Sequence, residues 1–256
     1  IFDKNPFPPQ RWKWSKNHLI KLTTPDDTIT YSYDAFGRRI SKTVNGTTTY
    51  YIYDSDNLIL ETDENGNTLR RYIHGRTIDE PICIIEGGNT YYYHSDGLGS
   101  ITEITDELGN LVERYEYDVF GRVSITDSDG NLLTESSINN PYYFTGRRYD
   151  TETGLYFFRT RYYNADIGRF IQPDTIGYKA DVNLYTYCHN NPINYIDPYG
   201  TCDWEWWRRM IEDVRRRLGE GIEEALEWLK EGYEYYQNWR DAMPPGVPPT
   251  GYPPLD

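Results

Sequence analysis

The chain has 256 residues, with 26 tyrosines against 8 phenylalanines and a formal net charge of −14. Its acidity, with a pI near 4.7, argues against a general affinity for nucleic acid, because neutralising phosphates takes clustered Lys and Arg, and leaves room only for a local basic patch. No stretch approaches the roughly 20 apolar residues of a membrane span, and the mean hydropathy of −0.79 leaves few aliphatic side chains for an ordinary core. Tyrosine joins a large ring to a polar tip, so its abundance favours strands with one dry and one wet face.

Residues 1–27 read as a lead-in. "IFDKNPFPPQ" is rich in proline, and "RWKWS" then has the alternation of a strand. Nothing at Ile1 resembles a secretion signal, which is the pattern expected of a fragment.

From 28 to 138 the chain repeats itself. "YSYDAFGRRIS" (31–41) returns as "YEYDVFGRVSI" (115–125), with weaker copies "YIYDSDNLIL" (51–60) and "YYYHSDGLGSI" (91–101). Between them lie "TDENGNTL" (62–69), "TDELGNLV" (105–112) and "TDSDGNLL" (126–133). Each unit is a strand, a turn and a strand. Glycine supplies the positive φ of the turn, and aspartate supplies a side chain that bonds back to the loop amides.

Residues 139–201 contain "NNPYYFTGRRYDTETGLYFFRTRYYNADIGRFIQPDTIGYKADVNLYTYCHNNPINYIDPYG". Beyond this the period changes. Across 202–242 apolar residues fall three or four apart, from Trp204 and Trp207 through Ile211, Val214 and Leu218 to Tyr233 and Tyr236, which predicts an amphipathic helix or helical hairpin. The final stretch, 243–256, is proline-rich and predicted to be extended.

Cys83, Cys188 and Cys202 are odd in number and lack C-x-x-C spacing, so three thiols, or one disulfide and a thiol, fit better than a zinc site. The four histidines form no ligand pair at helical spacing. We expect no metal and no cofactor.

The repeats resemble those of the YD-repeat, or Rhs, proteins, which include C subunits of insecticidal toxin complexes and the shell regions of teneurins. Residues 139–200 are similar to the Rhs-associated core module: a Y-F-x-G word, then E-T-G-L-Y, R-Y-Y, G-R-F, N-L-Y-x-Y-x-x-N-N-P and D-P-x-G, in that order. The first D-P-x-G is altered, since Thr175 follows Asp174 where proline is usual. The resemblance implies a mainly β fold: a spiral of hairpins forming part of a hollow cocoon, closed by a plug-like core module. A hairpin cannot bury its own face, so neighbours must stack to make the wall. A full shell takes more repeats than this chain holds. The partners implied are the rest of the shell, from upstream repeats, another chain or copies of itself, together with the chain's own C-terminal segment; no nucleic-acid partner is expected. An unrelated tyrosine-rich β meander or solenoid is the alternative fold.

The resemblance also implies self-cleavage by an aspartic centre just past the second D-P-x-G. By motif position the catalytic residues are Asp174, Asp197 and Arg161, with Asp181 as a reserve acid. The chemistry is coherent: an acid–base pair of close carboxylates can activate water and protonate a leaving amide nitrogen, and a guanidinium can hold one carboxylate ionised or polarise the carbonyl. The seam is Gly200, Thr201 and Cys202. Cutting is expected at Thr201–Cys202, within one bond either way. The bland reading is turn chemistry for both aspartates and a surface pairing for Arg161. In function the choice lies between a self-cleaving end of an encapsulating shell, in a secreted polymorphic toxin or cell-surface protein, and a structural or adhesive shell that makes no cut. In the adhesive case the C-terminal segment packs or binds a partner. That segment also lacks histidine, which excludes a His-dependent nuclease centre there.

Overall fold

The computed structural model describes residues 11–177 and 182–201. The helical segment expected over 202–242, the tail, the first ten residues, Asp181 and Cys202 lie outside the described residues. Thirteen strands follow one another in a single sheet, in chain order, and each is antiparallel to the last. They are β1 (Arg11–Ser15), β2 (His18–Thr23), β3 (Thr28–Tyr33), β4 (Arg39–Val44), β5 (Thr47–Asp54), β6 (Asn57–Thr62) and β7 (Thr68–His74), followed by β8 (Pro81–Glu86), β9 (Asn89–Ser95), β10 (Ile101–Thr105), β11 (Leu111–Tyr117), β12 (Val123–Asp127) and β13 (Leu132–Leu133). The lead-in already contributes β1 and β2 to this wall. A second, four-stranded antiparallel sheet holds β14 (Arg148–Asp150), β15 (Leu155–Phe158), β16 (Arg161–Asn164) and β17 (Arg169–Phe170).

The repeated turns share one hydrogen-bond pattern. In the turn after β3, Asp34 Oδ1 accepts the N–H groups of Phe36 and Arg38, both at 2.9 Å, while Gly37 sits at φ +83°. The same two amides, two and four residues on, reach the carboxylates of Asp63, Asp96, Asp106, Asp118 and Asp127. One carboxylate thus replaces the partners that a tight turn takes from the backbone. The tyrosine that precedes aspartate does different work. The hydroxyls of Tyr33, Tyr53 and Tyr117 donate to the carbonyls of Leu19, Arg39 and Ile101 at 2.8, 2.8 and 2.7 Å, so each half-buried ring packs on the core while its tip is satisfied by a strand already laid down.

Burial alternates along the strands as half-dry strands require. In β11, Glu113 and Tyr115 are buried whereas Arg114 and Glu116 are exposed. The dry face of the wall packs on the small sheet. One cluster joins Tyr51, Tyr72, Ile84, Ile104 and Tyr115 of the wall to Tyr156, Phe158, Tyr163 and Phe170 of the small sheet. A second joins Leu19, Leu22, Ile29 and Tyr31 to Leu155, Phe157 and Tyr162. β15 therefore sends alternate side chains into two clusters and is buried on both faces.

Charged residues cross this contact in pairs. Arg39 of β4 holds Asp150 at 2.5 and 3.0 Å, and Glu61 of β6 meets Arg148 at 2.8 Å. Burial alone would raise the Asp150 carboxyl, but Arg39 and then Lys42 outweigh it and hold it far below the usual carboxylate range. A buried ion pair is tolerated only when both members are hydrogen-bonded, so these pairs fix how the small sheet seats on the wall.

Candidate functional site

β15 and β16 are joined by a two-residue turn, Arg159 and Thr160. Arg159 has φ +54°, a left-handed conformation that costs a non-glycine residue about 1–2 kcal/mol. Side-chain pairing holds it there. Its guanidinium meets Asp79 at 2.8 and 3.0 Å and donates to the carbonyl of Pro198. Asp79 is shared with Arg147, at 2.5 Å. Burial pushes the Arg147 guanidinium down to about 10 despite Asp79; the same burial would lower Arg159, but Asp79 outweighs it and raises it.

Arg161 begins β16 and is fully buried. Its guanidinium carbon lies over the ring of Phe170, 3.6 Å from the centroid, a favourable cation–π contact supplied by the G-R-F word of the sequence. Held in this way, the guanidinium serves several acceptors at once. Nη2 lies 2.9 Å from Asp174 Oδ2 and 3.2 Å from Asp197 Oδ2. Nη1 donates to the Leu184 carbonyl at 3.1 Å, and Nε donates to the Gly200 carbonyl. Two aspartates 23 positions apart are thus brought to one nitrogen. Asp174 is 8 % and Asp197 1 % exposed.

Each aspartate also organises its own turn. Asp174 Oδ1 accepts the Ile176 N–H at 3.0 Å, and the Gly177 N–H reaches the Asp174 carbonyl at 3.2 Å. The altered word Asp174-Thr175-Ile176-Gly177 thus still closes a turn without proline. Asp197 Oδ1 accepts the Thr201 N–H at 3.0 Å, and its carbonyl accepts from the Gly200 N–H at 3.3 Å. Turn chemistry and juxtaposition coexist, because each carboxylate has one oxygen for its loop and one for Arg161.

The seam presses on the β15–β16 turn. Gly200 has φ +67°, and a Cβ there would come within 2.4 Å of the Phe158 carbonyl oxygen and 2.9 Å of Thr160 Oγ1. Glycine is required on both counts. Thr160 Oγ1 lies 2.7 Å from the Tyr199 carbonyl and 2.8 Å from that of Gly200. Asp174, Asp197, Arg161, Gly200 and Thr201 therefore form one constellation. Thr160, Arg159 and Asp79 belong to it as well, although sequence reasoning did not single them out. "FRTRYY" shows two arginines flanking a threonine, but nothing in it shows that a carbonyl 40 positions later will sit on that threonine. Among the described residues no cluster of His, Cys, Asp and Glu has the arrangement of a metal site, and Cys83 and Cys188 are buried.

The family model for the teneurin YD-shell matches residues 15–193. The tRNA nuclease WapA of Bacillus subtilis (strain 168) is 38 % identical over 183 residues, which is 69 % of this chain and 8 % of WapA. Double-stranded DNA deaminase toxin A of Burkholderia cenocepacia (strain H111) is 28 % identical over 200 residues, 66 % of this chain and 14 % of the toxin. The chain thus spans a small part of the length of these relatives. The crystal structure of TcdB2-TccC3-Cdc42 superposes with a TM-score of 0.60 over 75 % of this chain and 10 % of that one, at 24 % identity, a likeness of fold. With the family model covering most of the repeats and the core, the chain belongs to the YD-shell family of YD-repeat, or Rhs, proteins.

Proposed function

We propose that the chain is the closing end of an encapsulating YD shell whose core module cuts its own backbone just past Gly200, freeing the segment beyond. The observation that carries this reading is the convergence of Asp174 and Asp197 on Nη2 of Arg161, with the same guanidinium on the Gly200 carbonyl. Amide hydrolysis needs a base for water, an acid for the leaving nitrogen and a positive group near the carbonyl oxygen. The three side chains have those capacities. The substrate is the chain itself, so alignment is provided by folding and one turnover suffices.

Two relatives carry a nuclease or a deaminase toxin in a much longer polypeptide, which supports secretion and an enclosed cargo as the setting for this shell. The other parts of the wall are then its partners. Exposed apolar residues on the wet face, such as Ile52, Ile73 and Ile82, and the strand edges are surfaces where they would meet. The deciding measurement is the intact mass of the purified protein after incubation and denaturation. Two fragments meeting within Gly200–Cys202 are expected, and their absence in Asp174→Asn ties the cut to this centre. A single uncut species after long incubation would defeat the reading.

A second reading is favoured by the seam itself. Arg161, Thr160 and Arg159 bind the Asp197-Pro198-Tyr199-Gly200 turn so completely that the same contacts would serve a static plug in a structural or adhesive shell. Such a shell makes no cut, so the same mass measurement separates the two.

A further inference from the structure

We infer that Asp79, a residue of the wall, is a positioning residue for the self-cutting centre, acting through Arg159 on the turn that leads into the seam. The inference rests on the self-cleavage reading above.

Asp79 lies in the connection between β7 and β8. That loop is closed by the Gly75 N–H on the Glu80 carbonyl at 2.8 Å. Glu80 Oε2 also accepts the Thr77 N–H and hydroxyl, at 2.9 and 2.6 Å. Asp79 is thus presented at a fixed point of the wall, with φ +57°, a left-handed conformation that aspartate adopts more readily than most side chains. The core module is shaped to receive it. A Cβ on Gly146 would come within 2.3 Å of the Asp79 carbonyl oxygen, so the core lacks a side chain where this loop rests.

Two arginines of the core meet the Asp79 carboxylate, which is 12 % exposed. Arg147 reaches Oδ1 at 2.5 Å and donates from Nη2 to the Phe157 carbonyl at 2.8 Å. Arg159 takes both oxygens, with Nη2 on Oδ1 and Nη1 on Oδ2, a fork that fixes the plane of the guanidinium as well as its place. Nη1 also donates to the Pro198 carbonyl, and the guanidinium carbon lies 5.3 Å from the centroid of the Tyr199 ring. Pro198 and Tyr199 directly precede Gly200, whose carbonyl meets Arg161 and Thr160. A line of contacts therefore runs from the wall to the seam.

Arg39 and Lys42 also join wall to core, but their pairs end on Asp150 and Glu152, in β14 and the turn after it. Those pairs seat the core. Asp79 seats it and also sets the seam, because Arg159 holds the turn at Pro198 while Arg161 holds it at Gly200. A displacement of about 1 Å in a reacting geometry is worth on the order of a hundred-fold in rate. Since Asp79 belongs to the wall, the centre is complete only after the core has seated, which ties cutting to closure of the shell.

The test follows the full chain made by cell-free translation, denatured at timed intervals and resolved by intact mass. Asp79→Asn, which keeps shape and removes the charge, is expected to slow cutting by on the order of ten-fold or more. Arg159→Gln is expected to slow it alike, and the double variant by no more than about two-fold beyond either, because both residues act along one line. Lys42→Met removes a pairing of wall and core away from the seam and is expected to cut within about two-fold of wild type. Urea midpoints show what stability each variant has lost, and the cutting rate is expected not to follow them. Should Asp79→Asn fail to fold, Arg159→Gln, which leaves Asp79 its pairing with Arg147, carries the test. Three results would each overturn the inference while self-cleavage stands: wild-type cutting in Asp79→Asn or Arg159→Gln, Lys42→Met slowed as much as Asp79→Asn, or a double variant whose losses multiply. Wild-type protein that never cuts overturns both.

Discussion

Arg39 and Asp150 lie 111 positions apart in the chain and meet through two hydrogen bonds, at 2.5 and 3.0 Å, with both side chains 1 % exposed. The arginine belongs to the first well-formed repeat and the aspartate to the core module, so one ion pair fastens the plug to the wall.

Removing one member should therefore be costly. Arg39→Met leaves Asp150 with the weaker ion pair to Lys42 at 3.3 Å, and a loss of about 3–5 kcal/mol is expected from the poorly compensated carboxylate. Urea denaturation checks this. The double substitution Arg39→Met with Asp150→Leu should recover most of the loss, since no buried charge is then left without its partner.

Replacing Arg161 by lysine should silence the site while keeping its charge. A single ammonium cannot reach Asp174, Asp197, Leu184 and Gly200 at once from a seat over Phe170. Self-cutting is expected to slow by at least on the order of a hundred-fold. Mass spectrometry over time measures the rate, and circular dichroism should show the strand content unchanged.

Gly200→Ala is a backbone test. The added methyl would enter space held by the Phe158 carbonyl, at a φ of +67°, so the turn must move off the hairpin. Cutting should fall below detection, with a stability loss of about 1–2 kcal/mol. A variant that cut at the wild-type rate would show that the Gly200 seat is irrelevant to the chemistry.

The turn aspartates make stability depend on acid. Side-chain amides of Asn67, Asn110 and Asn131, followed by backbone N–H groups, hold the carboxyls of Asp63, Asp106 and Asp127 below the ordinary value. A carboxyl lowered in the folded state contributes fully above its unfolded value, about 3.9. That contribution is lost as pH falls through the lower folded values. The urea midpoint should hold steady from pH 7 to 5 and drop below about pH 4. In the triple variant Asp63→Asn, Asp106→Asn, Asp127→Asn the drop should be shallower.

The sequence by itself determined the wall. Aspartate followed three residues later by glycine, between runs of alternating tyrosine, specifies a turn and its strands through contacts within five residues, and such local chemistry can be read from letters. The ordered words of residues 139–200 likewise named Asp174, Asp197 and Arg161 as belonging together. Only the tertiary structure decided that both carboxylates share one guanidinium nitrogen, that Phe170 seats that guanidinium, and that Thr160 lies on the Gly200 carbonyl. Those contacts join residues 9 to 40 positions apart. They exist because β15 is buried on both faces and forces its turn against the seam. Such close approach comes from packing two sheets together, and no local pattern encodes it.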